Sequence, residues 1–263
     1  MEVRAKKSLG QHFLTDQSIA RAIVDALGGG DALEIGPGMG VLTQYLLTRE
    51  DINLKAVEID GESVDYLVTH FPAIHGKLLQ ADFLKVPSDV FFPGSFNIIG
   101  NFPYNISSQI FFKILDNRDR VPEVVCMIQK EVAERIAEKP GSKTYGILSV
   151  LLQAWYDIEY LFSVGSGCFA PPPKVQSAVI RLRRSSRTSL GCDESLFKTV
   201  VKTAFGQRRK TLRNSLKPLI QKKTEKEGWD AAAQAAFTAS TVFDLRPERL
   251  GVEDFVSLTL LLS

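Results

Sequence analysis

Nothing in this sequence approaches the uninterrupted run of ~20 apolar residues that a membrane-spanning helix requires. Cysteine is scarce: Cys126, Cys168 and Cys192 are odd in number and lack the C-x-x-C spacing of a zinc or redox site. No disulfide framework is expected, which fits a reducing compartment. Residues 1–7 lead into polar Ser8 and Gly10-Gln11-His12 without the apolar stretch of a secretion signal, so a cytoplasmic protein is expected. No repeat, low-complexity tract or metal-ligand cluster is visible, and no metal is expected. Charge excess is missing too. Lys and Arg total 32 and Asp and Glu total 30, a net of +2, which by itself argues against a nucleic-acid partner. What is present is 263 residues, 44% hydrophobic and 24% charged, enough for a buried core in one large domain or a large and a small one.

The balance conceals a split. Residues 200–223 hold eight basic residues and no acid: Lys202, Arg208, Arg209, Lys210, Arg213, Lys217, Lys222 and Lys223. The rest of the chain has 24 basic and 30 acidic residues, a net of −6. A mildly acidic body carrying a strongly basic segment points to a polyanionic partner.

Periodicity predicts a helix capped by Thr15 or Asp16, with Ile19, Ile23, Val24 and Leu27 on one face. Short apolar strands at 32–35, 54–59, 77–81, 96–99 and 123–128 alternate with helical stretches. That alternation predicts an α/β fold with a doubly wound, Rossmann-like parallel sheet. Strand-like runs at 148–158 and 177–182 predict an antiparallel edge. The Ser-rich stretch 183–191 reads as a linker, which divides the chain into a domain at 1–185 and a small helical one at 186–263. In the latter, Arg209, Arg213 and Lys217 at i, i+4 and i+8 predict one charged helix face. With Lys202, Arg208 and Lys210 they are candidates for phosphate contact.

Open α/β sheets bind ligands beyond the carboxyl ends of their strands. Here those ends carry Gly36-Pro37-Gly38-Met39-Gly40, then Glu58, Asp82 and Asn101. The glycine spacing is one short of the G-x-G-x-x-G dinucleotide fingerprint, which opposes a dehydrogenase. Glu58, 22 residues past Gly36, has the position and type of a carboxylate that binds ribose hydroxyls. Asp82 could accept from an adenine amine, and Asp60 reads as a solvated carboxylate. Asn101-Phe102-Pro103-Tyr104 fits the N/D-P-P-Y tetrad used on planar exocyclic nitrogens. Asn101 and the carbonyl of Phe102 or Pro103 would accept the two amine N–H bonds, Pro103 would fix the backbone, and Tyr104 would stack on an extruded base.

At this density of motifs the sequence resembles the small-subunit ribosomal RNA adenine dimethyltransferases of the KsgA type. The resemblance runs from Lys7 to about Arg183. It includes Ser8-Leu9-Gly10-Gln11-His12-Phe13-Leu14, Leu33-Glu34-Ile35-Gly36, Val57-Glu58-Ile59-Asp60, Ala81-Asp82-Phe83, Asn101-Phe102-Pro103-Tyr104-Asn105 and Lys143-Thr144-Tyr145-Gly146. Phe169-Ala170-Pro171-Pro172-Pro173 and Phe205-Gly206-Gln207-Arg208-Arg209-Lys210 extend it. It implies S-adenosylmethionine as donor and N6,N6-dimethylation of adjacent adenosines near the 3′ end of small-subunit rRNA, performed by a monomer on a pre-ribosomal particle. It implies cofactor contacts at Gln11, His12, Leu14, Gly36, Gly38, Glu58, Asp82, Phe83 and Asn101, and an aromatic, Phe169, facing Tyr104 across the target base. Two positions depart from the pattern: His12 stands where relatives often have Asn, and Phe102 where most have Leu or Ile. The rivals are a large-subunit rRNA methyltransferase, which the tract from Lys143 matches less well, and a non-catalytic assembly factor.

Overall fold

The structure, a computed structural model, describes Val3 and residues 5–263 apart from the side chain of Lys7. Met1, Glu2 and Arg4, part of the segment read as lacking a secretion signal, lie outside the described residues. Contacts divide the chain into two units. One runs to Glu134 and resumes over Tyr156–Arg184; the other comprises Arg135–Trp155 and Ser185–Ser263.

The first unit opens with β1 (Phe13–Leu14) and α1 (Gln17–Asp25). Asp16, not Thr15, caps α1: its carboxylate accepts from the N–H of Ser18 at 2.9 Å and of Ile19 at 3.1 Å. There follow β2 (Gly30–Ile35), α2 (Thr43–Leu46), β3 (Ile52–Glu58), α3 (Gly61–His70), β4 (Leu78–Gln80), β5 (Asn97–Asn101), α4 (Ser107–Asp116), β6 (Glu123–Gln129) and the first residues of α5 (Lys130–Ala137), whose last three belong to the second unit. Then come β7 (Tyr156–Val164), β8 (Phe169–Ala170) and β9 (Ser177–Arg184). The main sheet has the order β4-β3-β2-β5-β6-β9-β7. Its first five strands pair in parallel, and β9 and β7 add an antiparallel edge. Interior β6 is buried along all but its last residue, as a strand covered on both faces must be. β1 and β8 form a separate ribbon.

The second unit is helical: α6 (Ile147–Gln153), α7 (Glu194–Gly206), α8 (Leu212–Ser215), α9 (Lys217–Glu227), α10 (Ala231–Thr238) and α11 (Val252–Leu262). Two sequence expectations change here. The run 148–158 is not one strand: its first half is α6, and only from Tyr156 does it become β7. Leu148 to Leu152 are all buried, and an apolar run without polar alternation suits a buried helix as well as a buried strand. The Ser149 hydroxyl accepts from the N–H of Gly146 at 2.9 Å and so starts the helix. The chain therefore does not divide at 185–186 alone, because residues 135–155 pack with the helices.

Nor do Arg209, Arg213 and Lys217 share a helix face. The chain leaves α7 at Gln207, so Arg209 lies in a turn, Arg213 in the four-residue α8 and Lys217 at the start of α9. Pro218 explains the second break. It lacks the N–H a continuous helix needs, so it occupies the first turn of a new one.

Gly40, after β2, gives a direct test of this packing. Its φ is +78°, and a Cβ there would lie 2.4 Å from Cε2 of Phe71. Gly40→Ala should destabilise the fold by roughly 2–4 kcal/mol. Urea denaturation measures this, and a loss below ~0.5 kcal/mol would contradict the packing described.

Candidate active site

Because β2 lies between β3 and β5, the strand order reverses there, and the carboxyl ends of β2, β3, β4 and β5 gather at one opening. They line a cavity of about 340 Å³ together with the N-terminal stretch from Ser8 to Leu14. At the end of β2 the backbone of Gly36 has φ +67°, and a Cβ added to it would meet nothing within 4 Å, so the main chain itself forms the cavity wall.

Glu58 ends β3 and is 4% exposed. Its Oε2 accepts from the N–H of Gly38 at 3.0 Å, and its Oε1 from those of Ile59 at 2.8 Å and Asp60 at 2.9 Å. Burial raises its pKa, and these three donors oppose the rise. Asp82 follows β4; its Oδ1 accepts from the N–H of Leu84 at 3.0 Å. Phe83 lines the cavity beside it. Lys113 of α4, which sequence reasoning missed, donates to the carbonyls of Phe83 and Val86, and its ammonium lies 4.7 Å from the centre of the Phe83 ring. It pins the turn that carries Asp82, at the cost of a pKa lowered by burial.

Asp60 is not solvated. It is 4% exposed and accepts from the ammonium of Lys6, from Nε2 of Gln11 at 3.3 Å and from the hydroxyl of Ser63 at 3.1 Å. Burial alone would raise its pKa; these donors hold it below the usual value. Gln11 also accepts from the main-chain N–H of Lys6 at 2.8 Å. Asp60 and Gln11 thus tie the N-terminal stretch to the start of α3. No spacing signals this pair, since Lys6 and Asp60 are 54 residues apart. Glu34, quoted in the glycine motif without a role, is 1% exposed and lines the cavity. Its Oε2 accepts from the Thr43 hydroxyl at 2.7 Å. Among the described residues, the cavity lining includes Glu34, Glu58 and Asp82 but no lysine or arginine.

The tetrad leaves β5 at Asn101. Nδ2 of Asn101 donates to the carbonyl of His12 at 3.0 Å, which turns Oδ1 away as the remaining acceptor. Phe102 is fully buried against Phe111, its ring centre 5.9 Å away, so only its backbone can act. The Pro103 carbonyl accepts from the N–H of Ile106 at 3.2 Å, which favours the Phe102 carbonyl as the second acceptor. The Tyr104 hydroxyl bonds to that of Ser177, and burial raises the Tyr104 pKa. The ring beside Tyr104 is His12, at 5.4 Å and 29°, and Nδ1 of His12 lies 2.9 Å from the carbonyl of Pro171. Phe169 is not among the residues that line this cavity. It is 4% exposed and packs in the main hydrophobic cluster. β8 pairs it with buried Leu14 of β1, and strand alternation sends its side chain to the core while Ala170 is exposed. Leu14 also reaches the cavity wall.

In the second unit, Arg213 spends its charge internally, on Asp244 at 2.7 Å and the Thr238 carbonyl at 2.6 Å. Arg208 lies 4.0 Å from Glu248 and donates to the Ser142 carbonyl at 3.2 Å. Lys202 is exposed; Arg209, Lys210 and Lys217 are exposed and form no salt bridge among the described residues.

Glu34 makes stability depend on pH in a defined direction. Burial, with a further contribution from Glu58, pushes its pKa up from 4.5 to about 8. The native state therefore keeps a proton that the unfolded chain releases. The penalty is absent below the unfolded pKa, grows as pH rises, and is complete above the folded pKa. Between pH 5 and 8 the melting temperature of the native chain should fall relative to that of Glu34→Gln. Parallel curves in calorimetry would contradict this.

Comparison with known proteins agrees with this geometry. The family model for ribosomal RNA adenine dimethylase matches residues 2–233. A ribosomal RNA small subunit methyltransferase A of Parabacteroides distasonis is 58% identical over 98% of this chain and 94% of its own. Another, of Porphyromonas gingivalis, is 55% identical over 100% and 99%. Among solved structures, a dimethyladenosine transferase from Plasmodium falciparum has a TM-score of 0.77 at 23% identity, covering 95% of this chain and 96% of that one. The 23S rRNA methyltransferase ErmE has 0.63 at 24% identity, covering 95% and 99%. The two structures share the fold, and the sequence matches show that the chain belongs to the ribosomal RNA adenine dimethylase family.

Proposed function

We propose that this chain is an S-adenosylmethionine-dependent rRNA adenine dimethyltransferase. It methylates the exocyclic N6 of two adjacent adenosines near the 3′ end of small-subunit (16S) rRNA, on a pre-ribosomal particle, as a cytoplasmic monomer. The observation that carries this reading is that Asn101-Phe102-Pro103-Tyr104 opens into the same cavity as Glu58 and Asp82. That wall, acidic and without lysine or arginine among the described residues, suits an adenosyl sulfonium and does not suit a dinucleotide diphosphate.

Bound there, S-adenosylmethionine supplies an electrophilic methyl group. Glu58 would take the ribose hydroxyls, Asp82 the adenine amine, and the open backbone of Gly36 lets the ligand approach closely. An adenine amine delocalises its lone pair into the ring and is a poor nucleophile. Oδ1 of Asn101 and the Phe102 carbonyl accept its two N–H bonds, hold the nitrogen and favour a pyramidal geometry. A strong base is unnecessary, because methylation itself makes the remaining proton acidic. Tyr104, already stacked on one planar ring, offers a surface for the extruded base. Arg209, Lys210 and Lys217 would contact phosphates and position the RNA without reading its sequence.

The test is transfer of labelled methyl to small-subunit particles and to naked rRNA, with the product mapped. Label on adjacent adenosines near the 3′ end is expected; no label on either, or label on large-subunit RNA alone, overturns the reading. Asn101→Ala should lower turnover by about 10²–10³-fold while particle binding persists, and undiminished turnover would remove its assigned role. Replacing Arg209, Lys210 and Lys217 together by Ala should flatten the slope of log affinity against log salt by about 2–3, whereas an unchanged slope would leave these residues as a solvated surface.

A further inference from the structure

Glu34 and Glu58 are withdrawn from water on the wall of one cavity whose lining, among the described residues, holds no lysine or arginine. Glu58 is held by three main-chain N–H groups. Glu34 has, among the described residues, Thr43 alone, through its hydroxyl and its N–H. Among the described residues, Glu58 of β3 adds a like charge that acts on Glu34, and Thr43 of α2 contributes uncharged donors. The other titratable groups on the wall are Asp82, His12 and Tyr104. Burial of two carboxylates on one wall disfavours ionisation of both, and a proton or a cationic ligand relieves it.

We propose that Glu34 couples a proton to the charge of the cofactor: it is protonated in the empty cavity, ionises when the sulfonium donor binds, and regains a proton when the neutral thioether product replaces it. This rests on the S-adenosylmethionine reading above. Donor and product differ by a methyl group and by one positive charge at sulfur. The donor stabilises ionised Glu34 and sends its proton to the buffer. After methyl transfer that counter-charge is gone, and Glu34 takes a proton back from the buffer. Glu34 is thus a positioning residue that acts on the charge of the ligand, not on the reacting nitrogen.

The experiment is calorimetric titration of the full chain with S-adenosylmethionine and with S-adenosylhomocysteine, at pH 7, in phosphate and in Tris. The two buffers differ in ionisation enthalpy, so the comparison counts protons. About one proton released per donor bound and none per product bound is expected, since Glu34 with a pKa of about 8 is mostly protonated at pH 7. Donor affinity should rise by up to about tenfold per pH unit between 6 and 8. Glu34→Gln keeps an acceptor for the Thr43 hydroxyl and mimics the protonated acid. It should still bind product, release no proton with either ligand, and lose the extra pH dependence of donor affinity. Equal proton counts for donor and product, or a count unchanged in Glu34→Gln, would overturn the proposal. If the native chain binds neither ligand, the cofactor reading itself falls and this inference with it.

Discussion

The placement of β2 between β3 and β5 is the constraint on which the site depends. Parallel pairing in register brings Glu34 beside Ala56 on one side and Ile99 on the other, so the ends of three strands arrive level. β4 pairs with β3 up to Gln80 and sets the turn of Asp82 next to Glu58. Four short polar segments, far apart in sequence, thereby share one opening. Each is then held locally: Glu58 by main-chain donors, the Asp82 turn by Lys113, and the N-terminal stretch by Asp60. A cavity made of strand ends and pinned turns keeps its geometry without relying on a mobile loop for any one group.

Charge is distributed with the same economy. The wall of the cavity carries carboxylates and no lysine or arginine among the described residues, while residues 200–223 of the helical unit hold eight basic residues and no acid. One arrangement fits a small cationic cofactor and the other a polyanion. The net charge of +2 is the sum of +8 over residues 200–223 and −6 over the rest of the chain, and it describes neither.

Much of this was legible in the sequence because it was local. Strand–glycine–helix order gave the sheet, and Gly36, Glu58, Asp82 and Asn101 each sit just beyond a strand, so their gathering followed from topology. What was not legible depended on distant partners or on backbone breaks. Asp60 is buried and bonded by Lys6 and Gln11, which reach it across the fold. Phe169 is directed by its pairing with Leu14, which no periodicity signals. The helical phase of Arg209, Arg213 and Lys217 ignored Pro218, whose effect was readable from its chemistry. The stretch 148–152, apolar except for Ser149, carried no regular polar alternation to separate helix from strand.

The account is tested most directly by a crystal structure with S-adenosylhomocysteine bound. It predicts the ribose hydroxyls on the Glu58 carboxylate, the adenine amine on Asp82, and the sulfur turned toward the acceptors of Asn101 and Phe102. A ligand seated elsewhere, or one whose sulfur is walled off from Asn101, would contradict it.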